Sequence, residues 1–535
     1  MLVYILLVAI AITCFFKSKI SLHMLQQNLY NENNRYLKWV FKNYQNFISL
    51  EIIAIILSII IAFVTVGISG VETAILLVLL VIYIYTIYKT EKAISNSQQK
   101  KPLVVTKRVK RLIFTTTILY LIPVAVLFFN FDNSALVYKM LVIIVVELYL
   151  NNFVVFLANI INHPYERGVY YYYKHKAQSK LKNMPNLKII GITGSYGKTS
   201  SKNILSDILN IKYNALPTPR NLNTFNGLIM TVNNHMDKFT DIFIAEMGAY
   251  VKGEIKGLCN LVHPKYGILT RIGTAHLESF GSEKNIQEGK FELIESLPSD
   301  GIGVLNGDDP KQVSYNLKNK VKIVWIGIDN KDVDVRATDI KCDSKGSTFN
   351  VIFKGDKKKY EFQTKLLGKH NIYNILAGIA LGREFGITIE ELQQAVRGVR
   401  AVEHRLELKR LNGFYMIDDA YNSNPVGAKS AVEVLGMMPG VKVVVTPGMI
   451  ELASKETYYN KEFGKQIAEV ADYAVLIGEK HTKPIYEGLV ETGFDKDKII
   501  VYNDVRDAYK FIATLTGKKE VYALFENDLP DTYNE

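Results

Sequence analysis

The sequence predicts an α-helical membrane domain of about five spans followed by two α/β domains. The first of these has a mainly parallel sheet around a phosphate-binding loop; the second is Rossmann-like. Long apolar runs are confined to the first third of the chain, and a strand, Gly-rich turn and helix open at Lys188. From there on, short apolar runs alternate with helical patterns, the mark of βα units. The 535 residues are 48% hydrophobic and 11% aromatic, which excludes a disordered chain. Cys14, Cys259 and Cys342 lie too far apart for a zinc ribbon, and no disulfide is expected. The net charge of +12 suggests nucleic acid until it is located. Residues 1–185 hold 19 Lys and Arg against 7 Asp and Glu, whereas residues 186–535 hold 45 of each. The excess lies among the apolar runs, so nucleic acid is not an expected partner.

Five runs, at about 1–16, 48–68, 72–88, 112–130 and 136–160, are long enough to cross a bilayer, which takes about 20 helical residues. The first lacks a basic start and an A-x-A-like exit, so it reads as a retained anchor rather than a signal peptide. Lys17, Lys19, Arg35, Lys38 and Lys42 follow the first run. Lys89, Lys92, Lys100, Lys101, Lys107, Arg108, Lys110 and Arg111 follow the third, while 69–71 and 131–135 carry no Lys or Arg. Basic loops stay in the cytoplasm. The expected arrangement is a multi-pass protein of the bacterial cytoplasmic membrane, N-terminus outside, everything after about 161 inside. Glu147, near Asn151 and Asn152, is a functional-site candidate within a span, or else polar packing with Lys139. Residues 162–185, with Tyr165, Tyr170 to Tyr173, Arg167, Lys174, Lys176, Lys180 and Lys182, read as an interfacial linker facing anionic inner-leaflet lipid.

At 188–192, KIIGI reads as a buried strand, followed by T-G-S-Y-G-K-T-S and a helix through Leu209. Gly194 and Gly197 let the backbone approach a polyphosphate, with Ser195 and Ser200 flanking and helix-start amides pointing at it. Lys198 would neutralise β/γ-phosphates and Thr199 would offer its hydroxyl to Mg²⁺. The usual G-x-x-x-x-G-K-[ST] spacing is not met, because Ile192 holds the first glycine position. Glu246 follows the apolar run IFIA, where a parallel strand ends at the ligand crevice, and a carboxylate there suits Mg²⁺.

The blocks G-S-Y-G-K-T-S, P-R-N-L-N-T-F-N-G (219–227), E-M-G-A (246–249), H-L-E-S-F-G-S (276–282), E-G-K-F-E-L (288–293) and N-G-D-D-P (306–310) occur in this order. They continue with G-K-H-N-I-Y-N (368–374), E-H-R-L-E (403–407), D-D-A-Y-N-S-N-P (418–425) and T-P-G-M-I-E-L (446–452). Together they resemble the Mur ligases, ATP-dependent enzymes that build the peptide of bacterial cell-wall precursors. The pattern is most like the branch that adds D-alanyl-D-alanine to the UDP-muramoyl tripeptide. The resemblance covers about 186–535, with a central ATP-binding domain at 186–401 and a Rossmann-like one at 402–535.

That resemblance implies amide-bond synthesis through an acyl phosphate, with ATP and Mg²⁺ and no protein nucleophile. It makes His276 a ligand of a second magnesium and Lys290 a lysine carbamylated by CO₂ into an anionic ligand, beside Thr199 and Glu246. Asn371 and Asn374 would meet adenine, Arg405 the phosphates and Asp419 the ribose. Asn221, Asn223, Thr224, Tyr421 and Asn424 would face substrate. The family's N-terminal UDP-binding domain is absent, and membrane spans stand in its place. Thr224-Phe225-Asn226 also replaces the branch's second Asn and acid. The expected partners are a muramoyl peptide, UDP-linked or lipid-linked, and a dipeptide or amino acid. A membrane-bound ligase polymerising one amino acid (poly-glutamate type) and a non-catalytic ATP-binding scaffold stand as alternatives. The acidic tail LFENDLPDTYNE reads as a docking strand or a frayed end.

Overall fold

A computed structural model describes residues 2–43, 50–63, 69–96, 102–129, 134–343, 345–411, 413–420, 424–450, 452, 455–517 and 519–527. The chain divides into two units, Met1–Tyr173 and Lys174–Glu535. The ends of the expected second span and the turn at 131–133 lie outside the described residues, as does Tyr421.

The first unit is built from helices α1 (Leu2–Gln27), α2 (Arg35–Lys42), α3 (Leu50–Phe63), α4 (Ser69–Asn96), α5 (Lys107–Phe129), α6 (Ser134–Tyr149) and the start of α7 (Asn151–Lys182). Three stretches, Tyr4–Gln27, Thr73–Lys92 and Lys107–Val126, are long and apolar enough to cross a membrane. The apolar part of α3 is shorter, Ile52–Ile61. The expected span at 136–160 is instead a bent pair, α6 and α7 meeting at 83°, so the described helices give three spans, or four if the bent pair counts as one. The cause lies at the bend. Asn151 accepts from Ser18 Oγ at 2.9 Å and Tyr120 Oη at 2.8 Å and donates to Ser21 Oγ at 2.5 Å, while Ser21 Oγ donates to Asn152 Oδ1 at 2.6 Å. These bonds turn the start of α7 toward α1. Beyond it, α7 runs unbroken through Pro164 to Lys182, and most of the expected interfacial linker, 162–185, falls within it.

This unit has an apolar core, with Leu6, Ile10, Leu79 and Leu141 buried, and an apolar outer surface as well. Asn151, Asn159, Ser58 and Thr13 are buried, while Phe15, Val81, Phe128 and Phe129 are exposed.

The second unit holds two sheets. The first is formed by β1 (Lys188–Thr193), β2 (Ala215–Pro217), β3 (Ile242–Glu246), β4 (Tyr266–Leu269), β5 (Ile302–Asn306), β6 (Lys322–Gly327), β7 (Val335–Asp343), β8 (Gly346–Phe353) and β9 (Tyr360–Thr364). Its order is β2-β3-β1-β4-β5-β6-β7-β8-β9; neighbours are parallel as far as β7, and β8 and β9 are antiparallel additions. The inner strands are almost continuously apolar because helices cover them, as parallel sheets require. Ile190, Ile192, Ile244 and Ile268 pack with Leu205 and Ile208 of α8 (Lys198–Leu209) and with Ile375 and Ile379 of helix Lys369–Glu384. Each such side chain contributes about 1.5–3 kcal/mol on burial. Because β1 sits between β3 and β4, the strand order reverses there and a crevice opens at the strand ends. The site lies in that crevice.

The second sheet is β10 (Glu407–Leu411), β11 (Phe414–Asp419), β12 (Val441–Thr446), β13 (Tyr473–Ile477), β14 (Ile499–Tyr502) and β15 (Val521–Glu526), ordered β10-β11-β15-β12-β13-β14. All its pairs are parallel except β10 with β11. β10 and β11 form a hairpin, with Gly413 at φ 95° before β11. The first three residues of the acidic tail, Leu524 to Glu526, end β15, which is buried in mid-sheet; residues 528–535 lie outside the described ones.

Candidate active site

The loop after β1 makes the tightest turn in the crevice. Gly194 has φ 153°, and a Cβ there would stand 1.9 Å from Thr270 Oγ1. That hydroxyl donates to the carbonyls of Thr193 and Tyr196 at 3.1 and 2.7 Å, so it locks the loop against the end of β4. Ser195 is held through its amide to Arg271 O (2.9 Å) and its hydroxyl to Gly273 O (3.3 Å). Gly197, φ 79°, starts α8, whose first amides face the loop. Lys198 folds back over it, donating to Gly194 O at 2.8 Å and Ser195 O at 3.3 Å. Burial and the charge of Arg405 lower its pKa, and Glu246 opposes them. Ser200 is buried in the same turn.

Glu246 ends β3 and is 1% exposed. Its Oε1 accepts from Thr199 Oγ1 and from Asn223 Nδ2, each at 3.1 Å. The Lys202 ammonium stands 3.0 Å from Oε2 but off the hydrogen-bond direction, so the contact is an ion pair. Asn223 thus turns its amide to the carboxylate. Thr224 caps helix Phe225–Asn234 by accepting from Gly227 N at 3.3 Å, and Asn221 is exposed beside them.

Lys290 is 1% exposed on helix Glu283–Glu295, its Nζ 3.4 Å from Ala249 O and 5.3 Å from the Phe280 ring centre. Burial, helped by the charge of Lys198, pushes its pKa down to about 7, against the pull of Glu254 and Glu292. His276 has φ 61°, packs its ring 4.5 Å from that of Tyr250, and is lowered by burial and by Lys290 and Lys198. The structure therefore brings Glu246, Lys198, Lys290 and His276 into one electrostatic group.

Thr199 and Glu246 present adjoining hard oxygens and fit a magnesium ion. A second ion at His276 fits if Lys290 supplies oxygens as a carbamate; among the described residues, no three His, Cys, Asp or Glu side chains gather as a ligand set.

On the side of the second sheet, Asn374 Oδ1 lies 3.8 Å from where a Cβ on Gly197 would stand, and Asn371 donates to Leu367 O at 2.9 Å. Arg405 lies just before Leu406, whose amide donates to Asp419 Oδ1 at 3.1 Å. Burial pushes the Asp419 carboxyl up to about 6, against the Leu406 amide, the bond with Glu526, its register partner on β15, and the charge of Arg405, which all pull it down. Asn424 caps helix Pro425–Gly436 by accepting from Gly427 N at 3.0 Å.

The sequence reading missed Lys202. Its signal was a lysine one turn after Lys198 on the helix face that carries Leu205, Ile208 and Leu209 inward, where a charge needs a buried partner.

Residues 192–382 match the Mur ligase middle domain and residues 404–525 the Mur ligase glutamate ligase domain. A UDP-N-acetylmuramoyl-tripeptide–D-alanyl-D-alanine ligase of Bacillus subtilis (strain 168) is 33% identical over 338 residues, 62% of this chain and 72% of that one. The chain belongs to the Mur ligase family. Its Escherichia coli (strain K12) relative of the same name is 29% identical, over 63% of this chain and 75% of that one. The crystal structure of MurF ligase from Thermotoga maritima in complex with ADP aligns at a TM-score of 0.59 and 25% identity, covering 67% of this chain and 80% of that chain. As a Mur ligase, the protein is an ATP-dependent acid–amino-acid ligase.

Proposed function

We propose that this Mur ligase is anchored in the bacterial cytoplasmic membrane by residues 1–161 and joins D-alanyl-D-alanine, or a similar amine, to the peptide of a cell-wall precursor. The observation that carries the reading is the pairing of Thr199 with Glu246 at 3.1 Å beside the phosphate loop, in a chain whose relatives bear that ligase name.

The loop from Gly194 to Ser200 binds the ATP phosphates through backbone amides, and Lys198 leaves its loop carbonyls to neutralise the γ-phosphoryl group. Asn371, Asn374, Arg405 and Asp419 hold the nucleoside and its phosphates. The acceptor carboxylate attacks the γ-phosphorus and ADP leaves; the amine then attacks the acyl phosphate and phosphate leaves from a tetrahedral intermediate. Thr199 and Glu246 would hold one magnesium ion, and His276 with Lys290 as a carbamate a second; when bound, these would neutralise charge on the phosphoryl oxygens. The chain contributes positioning and fixed charge. The low pKa of Lys290 supports carbamylation, since a neutral amine is the form that adds CO₂. Asn221, Asn223, Thr224, Tyr421 and Asn424 border the acceptor.

Membrane anchoring is supported by the three spanning-length helices and by the large apolar side chains exposed on the first unit, Phe15, Val81, Phe128 and Phe129 among them. Five spans with the N-terminus outside would satisfy the charge of every loop. With spans in place of a UDP-binding domain, the acceptor is a lipid-linked muramoyl peptide at the inner leaflet, where anionic lipid meets the basic residues of α7. Mass spectrometry of products from lipid-linked and UDP-linked tripeptides, each with D-alanyl-D-alanine and ATP, tests this. Faster turnover of the lipid-linked form is expected; ready turnover of the UDP-linked form alone would sink the lipid assignment.

A further inference from the structure

Lys202 is a buried charge that the proposed reaction leaves unused. It lies one turn after Lys198 on α8, with a side chain 1% exposed. Its ammonium donates to the carbonyl of Arg220 at 2.6 Å and stands 3.0 Å from Glu246 Oε2. Arg220 has φ 48°, a conformation that aims this carbonyl inward at some strain. The same loop also holds Glu246 directly: Thr218 Oγ1 accepts from its backbone amide at 3.2 Å, and Asn223 Nδ2 donates to its carboxylate at Oε1. A buried carboxylate without a counter-charge is costly, and here the counter-charge is supplied from behind, by the chain itself. Thr199 and Asn223 donate to the other oxygen.

A divalent cation approaching Thr199 and Glu246 therefore meets a neutralised carboxylate. The phosphates of a nucleotide are the charge that remains to attract it. We propose that Lys202 is a positioning residue, a built-in counter-ion that makes cation binding at Glu246 conditional on the nucleotide and ties loop 218–223 to that carboxylate. The inference rests on the reading of Glu246 as a metal ligand and extends it to when the metal enters.

The test uses the full chain in detergent, the variant Lys202→Met, which keeps the stem and removes the ammonium, and Mn²⁺ or Mg²⁺ as probes. In the wild type, millimolar Mg²⁺ alone leaves Tm unchanged and Mg²⁺ with ADP raises it. In Lys202→Met, apo Tm falls, Mn²⁺ alone binds at least tenfold tighter than to the wild type by paramagnetic resonance, and KM for the acceptor rises more than kcat falls. The double variant Lys202→Met/Glu246→Gln regains the lost Tm and loses the Mn²⁺ gain. If Lys202→Met does not fold, folding of the double variant supports the counter-ion role, and its failure to fold overturns it. Equal Mn²⁺ affinity in Lys202→Met and wild type also overturns it. A wild type that binds no Mg²⁺ with ADP would remove the nucleotide site itself, and the inference with it; normal wild-type binding with an unchanged variant removes the inference alone.

Discussion

Thr199 Oγ1 donates to Glu246 Oε1 at 3.1 Å, joining the first turn after the phosphate loop to the end of the neighbouring strand. Replacing Glu246 by Gln keeps the shape and removes the charge. Phosphate release should fall by ~10²–10³-fold, the range lost with one electrostatic group in an active site. The variant also leaves the Lys202 ammonium buried beside a neutral amide, so denaturant titration should show a loss of about 3–5 kcal/mol.

Gly194→Ala tests the loop. Its Cβ would fall 1.9 Å from Thr270 Oγ1, a hydroxyl already committed to two carbonyls. The loop must open, and ADP affinity by calorimetry should drop at least ~10-fold, about 1.4 kcal/mol. Unchanged affinity would mean that the nucleotide binds elsewhere.

Lys290→Ala should lose nearly all activity, and short-chain carboxylic acids should restore part of it by supplying the missing oxygens. With its pKa near 7, the wild-type amine is protonated at pH 6 and mostly neutral at pH 8. Added bicarbonate should therefore stimulate more at pH 8 than at pH 6. A variant that carboxylic acids do not rescue would contradict carbamylation.

Asp419 gives a pH signature in stability. Its folded pKa, about 6, lies above the usual 3.8, so the folded state holds the extra proton between those values. Stability then falls as pH rises from about 4 to 6, and the cost is fully present above 6. Asp419→Asn removes that slope. Denaturant midpoints at pH 4.5 and 7 should differ more in the wild type than in the variant.

Within the helical first unit, Asn151→Leu removes the contacts to Ser18, Ser21 and Tyr120 at the bend. A loss of about 0.6–1.7 kcal/mol is expected, the scale of polar contacts between membrane helices. Unfolding in detergent measures it.

Much of this was legible in the chain. The strand, turn and helix at 188–209 showed because Gly194, Gly197 and Lys198 are needed at fixed offsets, and the Mur ligase blocks located Glu246 and Lys290. The bend at 150 was not legible: hydropathy averages over Asn151 and Asn152, and their partners Ser18 and Ser21 lie about 130 residues away. Nor were the local bonds of Asn223, Thr224 and Asn424, since a polar loop residue looks alike in sequence whether or not it caps a helix or bonds a carboxylate. Lys202 escaped for the opposite reason: a lysine on a helix is ordinarily a solvated charge, and its burial follows from Glu246, 44 positions later.

Amide-bond formation at the expense of ATP is tested most directly by phosphate release. Phosphate release from the full chain should be measured with free and lipid-linked muramoyl peptides, each with D-alanyl-D-alanine or single amino acids, beside a Lys198→Ala control. Release should require both acceptor and amine and disappear in the control. Nucleotide binding without release for any pair, or release that persists in Lys198→Ala, would contradict it.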